Sequence, residues 1–202
     1  YLNAGSVLNS RIMNNVIGGG GLGGYGVGAG AGAIMRGGLI QNCLISGNRA
    51  TYSIDGNGNG AGVYMTGGAL VNCTIASNRC DGSRMGAGIY KTGGVVTNTI
   101  VFGNKKGTDD DNISGTNSFY FSCSPDLAAG GNGNLAADPL FVDISATNYH
   151  LLVSSPCLDV GTNLNSVTID LDGASRPIDG NRDSVPTADM GCYEEPTGES
   201  RP

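Results

Sequence analysis

The chain has 202 residues, 36 of them glycine, with no tryptophan, 14% charged residues and a net charge of −6. An acidic balance without a basic cluster argues against nucleic acid as a partner, and no apolar stretch approaches the roughly 18 residues that a membrane span needs. Glycine without a collagen period, mixed with recurring β-branched residues, argues against disorder.

Residues 4–15, "AGSVLNSRIMNN", are a faint first copy of a motif that returns three times. The clear copies are "GGLIQNCLISGN" (37–48), "GGALVNCTIASN" (67–78) and "GGVVTNTIVFGN" (93–104). Each is preceded in register by a second run, "GAGAIMRGG" (30–38), "GAGVYMTGG" (60–68) or "GAGIYKTGG" (86–94). From Asn9 through Asn42 and Asn72 to Asn98 the spacings are 33, 30 and 26 residues. A period of this size signals a repeat architecture before any local structure is considered.

Each unit holds short runs of Val, Ile, Tyr and Thr between Gly pairs and Asn, which are strand and turn signals. No run of ten or more residues follows a helical period, so helix-containing repeats are excluded. A unit of strands and turns alone fits one coil of a parallel β-helix, with equivalent positions stacked about 4.8 Å apart. Ile40/Leu70/Val96 and Ile45/Ile75/Val101 are the expected inward ladders. Asn42/Asn72/Asn98 and Asn48/Asn78/Asn104 are expected at the bends as turn residues tolerant of left-handed angles, each side chain bonding its copy above and below.

Between the copies, residues 17–31 and 49–61 read as loops before the same strand, projecting from one side. Insertions on one side of a repeat protein mark either a binding face or tolerated surface. Tyr64 and Tyr90 fall in register above Ile34: outward they make an aromatic strip suited to sugar rings, and inward they are core, which is the favoured reading. A glycan is the ligand class such a strip would take. Residues 1–107 are thus four coils, and at 107 the repeat stops. "GTDDDNISGTNS" (107–118) opens a polar stretch of connecting coil and turns over 108–137.

The remaining text is different. "NGNLAADPLFVD" (132–143), "YHLLVSSPCLDVGTN" (149–163), "DLDGASRPIDGNRD" (170–183) and "DMGCYE" (189–194) stand in an order that resembles the choice-of-anchor Q domain. That bacterial module follows β-helix repeats in large secreted or surface-anchored proteins. Its pattern is a DPLFVD strand, an SPAIDAG segment, a DLDGNPRP turn and a closing DIGAYE. The coils before it are similar to the right-handed parallel β-helices of the pectate-lyase-like type and of polymorphic outer-membrane adhesins. The resemblance implies an extracellular or cell-surface setting and a C-terminal capping module over 138–195, followed by a tail, 196–202. It implies no activity. A sorting signal normally lies beyond the module, and "PTGESRP" carries none.

Against the family pattern, Cys157 and Cys192 both replace alanine, which implies a bridge between them. An even count of six cysteines in a secreted chain suits disulfides. Cys43 and Cys73, at one repeat position on adjacent coils, are either bridged or buried thiols, and Cys80 with Cys123 is then paired by elimination. No CxxC or Cys/His cluster suggests zinc.

Calcium suits the donor pattern better. Asp179, Asn181 and Asp183 alternate across a Gly turn with Asp189 six residues on, as oxygens do in calcium loops. Asp55, Asn57 and Asn59 repeat the opening, with Thr66 where a closing acid would stand. The alternative for both is an Asx turn capped by its own side chains.

Nothing in the text assembles an active site. Paired acids for glycoside hydrolysis need a fixed separation of roughly 5–9.5 Å, and the repeats hold few carboxylates. Asp109, Asp110 and Asp111 read as a solvated turn, Arg36 and Lys91 have no acid cluster in their unit, and His150 alternates with apolar residues on the outer face of a strand. The expectation is a non-catalytic stalk, adhesin or fibre segment; the alternative is a polysaccharide-active β-helix whose catalytic coils lie upstream or are unrecognised. Tyr1 opens directly into a coil without a signal peptide, as in a mature or excised form. An uncapped first coil exposes a strand edge, so residues 4–15 are expected to meet another subunit or an upstream segment.

Overall fold

A three-residue strand buries one or two side chains and cannot stand alone. In this protein each such strand is paired with its own copy from the neighbouring repeat. The structure is a computed structural model and describes residues 1–18, 30–51, 59–81, 85–116 and 118–196.

Four parallel sheets run side by side. The first contains Ser6–Leu8, Leu39–Gln41, Ala69–Val71, Val95–Thr97 and Phe119–Tyr120. The second contains Arg11–Met13, Leu44–Ser46, Thr74–Ala76 and Ile100–Phe102. The third is built on Val16–Ile17, Arg49–Ala50, Arg79–Cys80 and Lys105–Lys106, and the fourth on Ala33–Met35, Val63–Met65, Ile89–Lys91 and Ile113–Gly115. The chain visits the sheets in the same order in every circuit and returns to each one row further along. This all-β stack of parallel sheets is compatible with the expected β-helix.

Register makes the core. Val7, Ile40, Leu70, Val96 and Phe119 stack on one line, and Ile12, Ile45, Ile75 and Val101 on a second. The expected ladder residues 40, 70, 96, 45, 75 and 101 are all buried in one apolar cluster. The Gly pairs permit the close stacking. Gly68 sits at φ +86, where only glycine is unstrained, and a Cβ on Gly67 would strike the Arg36 carbonyl of the row below.

The two Asn rows differ in role. Asn42, Asn72 and Asn98 have φ between 49 and 57 and are the left-handed bend residues, as expected. In the other row the left-handed position falls one residue earlier, on Gly47, Ser77 and Gly103. The first Asn row also bonds copy to copy in part, Asn42 Nδ2 donating to Asn9 Oδ1 at 2.8 Å and Asn98 Nδ2 to Asn72 Oδ1 at 3.4 Å, whereas Asn48, Asn78 and Asn104 form a continuous line. Asn48 Nδ2 donates to Asn78 Oδ1 and Asn78 Nδ2 to Asn104 Oδ1, both at 2.9 Å. Asn15 and Asn112 extend the line at its two ends.

Structurally the repeat does not stop at 107. Lys105–Lys106 folds back against Asp109–Asp110 as an antiparallel pair. The chain then re-enters the fourth sheet at Ile113–Gly115 and the first at Phe119–Tyr120. A fifth row is therefore written in different residues. Its outer side is covered by residues 124–135, with Leu127 inserted into the core cluster and Leu135 paired to Cys123.

The C-terminal segment, expected as a cap, lies along the side of the stack. Tyr149, Leu171, Cys192 and Tyr193 pack on Leu44 and Ala76, outward positions of the second sheet. Leu151, Cys157 and Met190 pack on Ile100 and Cys123 further along. Polar contacts tie it to successive rows: Asp172 to Arg11, Arg176 to Asn42, Cys192 to Thr74, and Thr162 to Asn98. The outward side chains of the second sheet are apolar or small enough to need such a cover, and that decides where the segment goes.

Candidate functional site

The densest polar constellation lies in the flanking segment, where residues 170–195 fold against the second sheet. Arg176, 5% exposed, is its only buried cation among the described residues of that stretch. Its Nε donates to Glu194 Oε2 at 2.6 Å, and its Nη2 donates to the carbonyls of Gly191 and Tyr193. Glu194 Oε1 accepts from Ile178 N and its own N–H donates to Asp170 Oδ2. Asp189 accepts from the N–H groups of Asp159 and Glu195. Burial, then the nearby Glu194 charge, pushes Asp189 up to about 8, and burial raises Glu194 as well.

His150 stands between two carboxylates. Its Nδ1 is 2.8 Å from Glu195 Oε1, its Nε2 is 3.1 Å from Asp172 Oδ2, and its ring stacks on Tyr193. A ring carrying both protons donates to both acids. It keeps the expected outward phase of its strand (Asn148–Leu151), but the flanking segment encloses it. Both ring nitrogens are thus engaged by carboxylates of the flanking segment, which fix the ring against Tyr193. A cavity of about 210 Å³ opens beside Glu195, between Ser155, Leu158, Gly180 and Asn181.

Of the residues expected to ligate calcium, Asp179, Asn181 and Asp183 share one turn, and their side-chain oxygens accept from the turn's own backbone. Asp179 Oδ1 and Oδ2 accept from Asp183 N and Ser184 N, Asn181 Oδ1 from Asp183 N, and Asp183 Oδ1 from Val185 N. These are Asx-turn bonds, the local alternative. Asp189 is buried behind Asp159: it accepts from the N–H groups of Asp159 and Glu195, while the Asp159 carboxylate accepts from Gly180 N and Asn181 N. Among the described residues no group of three or more His, Cys, Asp or Glu is placed to hold a metal ion. Asp55 and Asn57 of the second candidate lie outside the described residues, as does most of the two loops at 17–31 and 49–61; Asn59 Oδ1 accepts from Met85 N.

Tyr64 and Tyr90 face outward rather than into the core, half-buried between inward neighbours. Their rings stack on each other with centroids 5.4 Å apart and planes 15° apart. Each thereby covers a face of the other, and Ile34 and Ser114 continue the line.

The cysteines correct two pairings. All six are buried and none is in a disulfide. Cys157 belongs to the cluster with Cys123, and Cys192 to a separate one with Leu44, so the Cys157–Cys192 bridge is not formed. Cys80 packs with Ala50, Ala61 and Ala87, apart from Cys123. Cys43 and Cys73 donate their thiols to the carbonyls of Gln41 and Val71, two residues back. Ser10, Thr99 and Ser122 make the same bond at the same bend with hydroxyls. The series Ser, Cys, Cys, Thr, Ser is one structural role, visible in the sequence once register is known.

Comparison with protein-family models, with curated proteins and with solved structures finds no match.

Proposed function

We propose that the chain is a segment of a right-handed parallel β-helix from a secreted or surface-exposed bacterial protein, serving as stalk, adhesin or fibre without a catalytic centre of its own. The observation that carries this reading is the use each row makes of its side chains. Inward positions form apolar ladders, the bends form an amide ladder, and the outer face of the second sheet is taken up by the flanking segment. Rows that match their neighbours extend along one axis, which is what a spacer requires. Right-handed winding follows from the strong preference of crossovers between parallel strands. The extracellular setting rests on the resemblance of residues 138–195 to a choice-of-anchor Q module.

One end of the stack supports an assembly role. Among the described residues the row from Leu2 to Ile17 pairs on one side only, with Tyr1 78% and Val16 66% exposed. A second subunit or further coils of the same chain would cover it. Among the described residues no helix is long and apolar enough to cross a membrane.

The reading predicts that the protein releases no unsaturated or reducing sugar from pectin, alginate or other acidic glycans, with or without calcium. Turnover by these residues would overturn it in favour of a polysaccharide-active β-helix.

A further inference from the structure

We propose that Cys123 and Cys157 form a disulfide that fastens the flanking segment to the last row of the stack. The two residues are 34 positions apart in the chain and meet across the boundary between those parts. Cys123 is fixed in the row: its N–H donates to Thr99 O at 3.0 Å and its carbonyl accepts from Val101 N at 2.9 Å. Cys157 is fixed in the segment: its N–H donates to Ser155 Oγ and its carbonyl accepts from Met190 N, both at 3.0 Å. Their side chains are fully buried in one cluster with Ile100, Leu151 and Met190. Cys123 Sγ donates to Ala137 O at 3.4 Å, and the two thiols lie near enough to shift each other's pKa in opposite directions.

The other cysteines do not offer such a pair. Cys43 and Cys73 also touch, but they occupy one register position on adjacent parallel rows. Parallel Cα–Cβ bonds about 4.8 Å apart exceed the roughly 3.5–4.5 Å between Cβ atoms that a disulfide needs. Cys192 lies against Thr74, and Cys80 among Ala50, Ala61 and Ala87.

The chemistry needs an oxidant of the disulfide class, such as glutathione disulfide. One cysteine thiolate attacks it, forming a mixed disulfide and releasing one glutathione thiolate. The second cysteine thiolate then attacks the mixed disulfide at the protein sulfur, releasing the other. The two thiol protons end on the two glutathiones, which carry away both electrons. Both sulfurs are inaccessible once the segment is docked, so exchange takes place during folding. The bond would close the chain from 123 to 157 and hold the segment on the second sheet, whatever the function of the whole.

The test refolds the full chain in a glutathione/glutathione disulfide buffer and blocks remaining thiols with iodoacetamide. Digestion without reduction uses a protease that cuts before Asp138 and Asp143. The expected product is a linked peptide pair holding Cys123 and Cys157, with Cys43, Cys73, Cys80 and Cys192 alkylated after unfolding. The oxidised protein should melt roughly 5–10 °C above the dithiothreitol-treated one, a difference absent in Cys157→Ala. Alkylation of both Cys123 and Cys157, or linkage of either to another cysteine, overturns the proposal. The peptide readout uses the unsubstituted chain, so it stands even if Cys157→Ala fails to fold.

Discussion

Lys91 departs from the pattern around it. It continues the inward line of Met35 and Met65, and it is 0% exposed. Its Nζ donates to Thr116 Oγ1 at 3.3 Å and Thr116 O at 3.5 Å and lies 5.7 Å from the Phe119 ring centroid, so its partners are a hydroxyl, a carbonyl and a ring face rather than a carboxylate. Burial holds its pKa below the ordinary 10.5. Because the unfolded chain then binds the proton more tightly than the folded one, stability rises as pH climbs through the lowered pKa toward 10.5. Lys91→Met restores the methionine line and removes the desolvated charge. It should raise stability by about 1–3 kcal/mol and abolish the alkaline rise, as read by urea denaturation at neutral and alkaline pH. A destabilised variant would show that the cation contributes more through Thr116 and Phe119 than its desolvation costs.

Among the elements, the amide ladder carries the most concentrated polar energy. Asn78 is fully buried; its Oδ1 accepts from both Asn48 N and Asn48 Nδ2, and its Nδ2 donates to Asn104 Oδ1 and Ile45 O. Asn78→Ala leaves the Asn48 N–H and one of its two Nδ2 hydrogens without an acceptor in a place water does not reach, the other Nδ2 hydrogen keeping Ile12 O. The expected loss is about 2–4 kcal/mol, since each orphaned buried group costs roughly 1–3 kcal/mol. Asn15, at the exposed end, passes its Nδ2 bond to Asn48 with solvent alongside. Asn15→Ala should therefore cost less than about 1 kcal/mol. Equal losses at the two positions, measured by the same denaturant titration, would remove the ladder as a stabilising unit. Asp126 shows how the line ends, its carboxylate accepting from Asn112 N and Ile113 N.

At the scale of the molecule, the two ends of the stack are unlike. The fifth row is covered by residues 124–135, whereas among the described residues nothing pairs with the outer side of Ser6–Leu8, Arg11–Met13 and Val16–Ile17, and Val7 and Ile12 are half-buried there. Free parallel edges above an apolar interior are a template for another chain. Sedimentation velocity over about a hundredfold range of concentration should show reversible self-association, and Val7→Glu with Ile12→Glu should abolish it by placing charges on that surface. A monomer at every concentration, with the amides of residues 4–15 well protected from hydrogen exchange, would exclude a second subunit as the cover. The lateral segment bears on the same geometry: by gripping Arg11, Asn42, Thr74 and Asn98 in turn, it braces four rows at once.

The repeat by itself determined the parallel rows and their register, because a side chain in one row can only be buried by its copy in the next; Ile40, Leu70 and Val96 follow from spacing alone. It also determined that Asn42, Asn72 and Asn98 sit at left-handed bends. Three matters waited for the tertiary structure. Asn112 joins the ladder although it lies only 8 residues from Asn104, because a short hairpin replaces the longer loops of the other circuits. Tyr64 and Tyr90 point outward because alternation within a three-residue strand is too short to phase from text, and neighbours on the next row decide it. The flanking position of residues 138–195, with His150, Arg176 and Glu194 enclosed and Cys123 brought to Cys157, depends on contacts between residues far apart in the chain. Local spacing carries no trace of such contacts, since burial of the second sheet's outer face is settled only when the whole chain has wound.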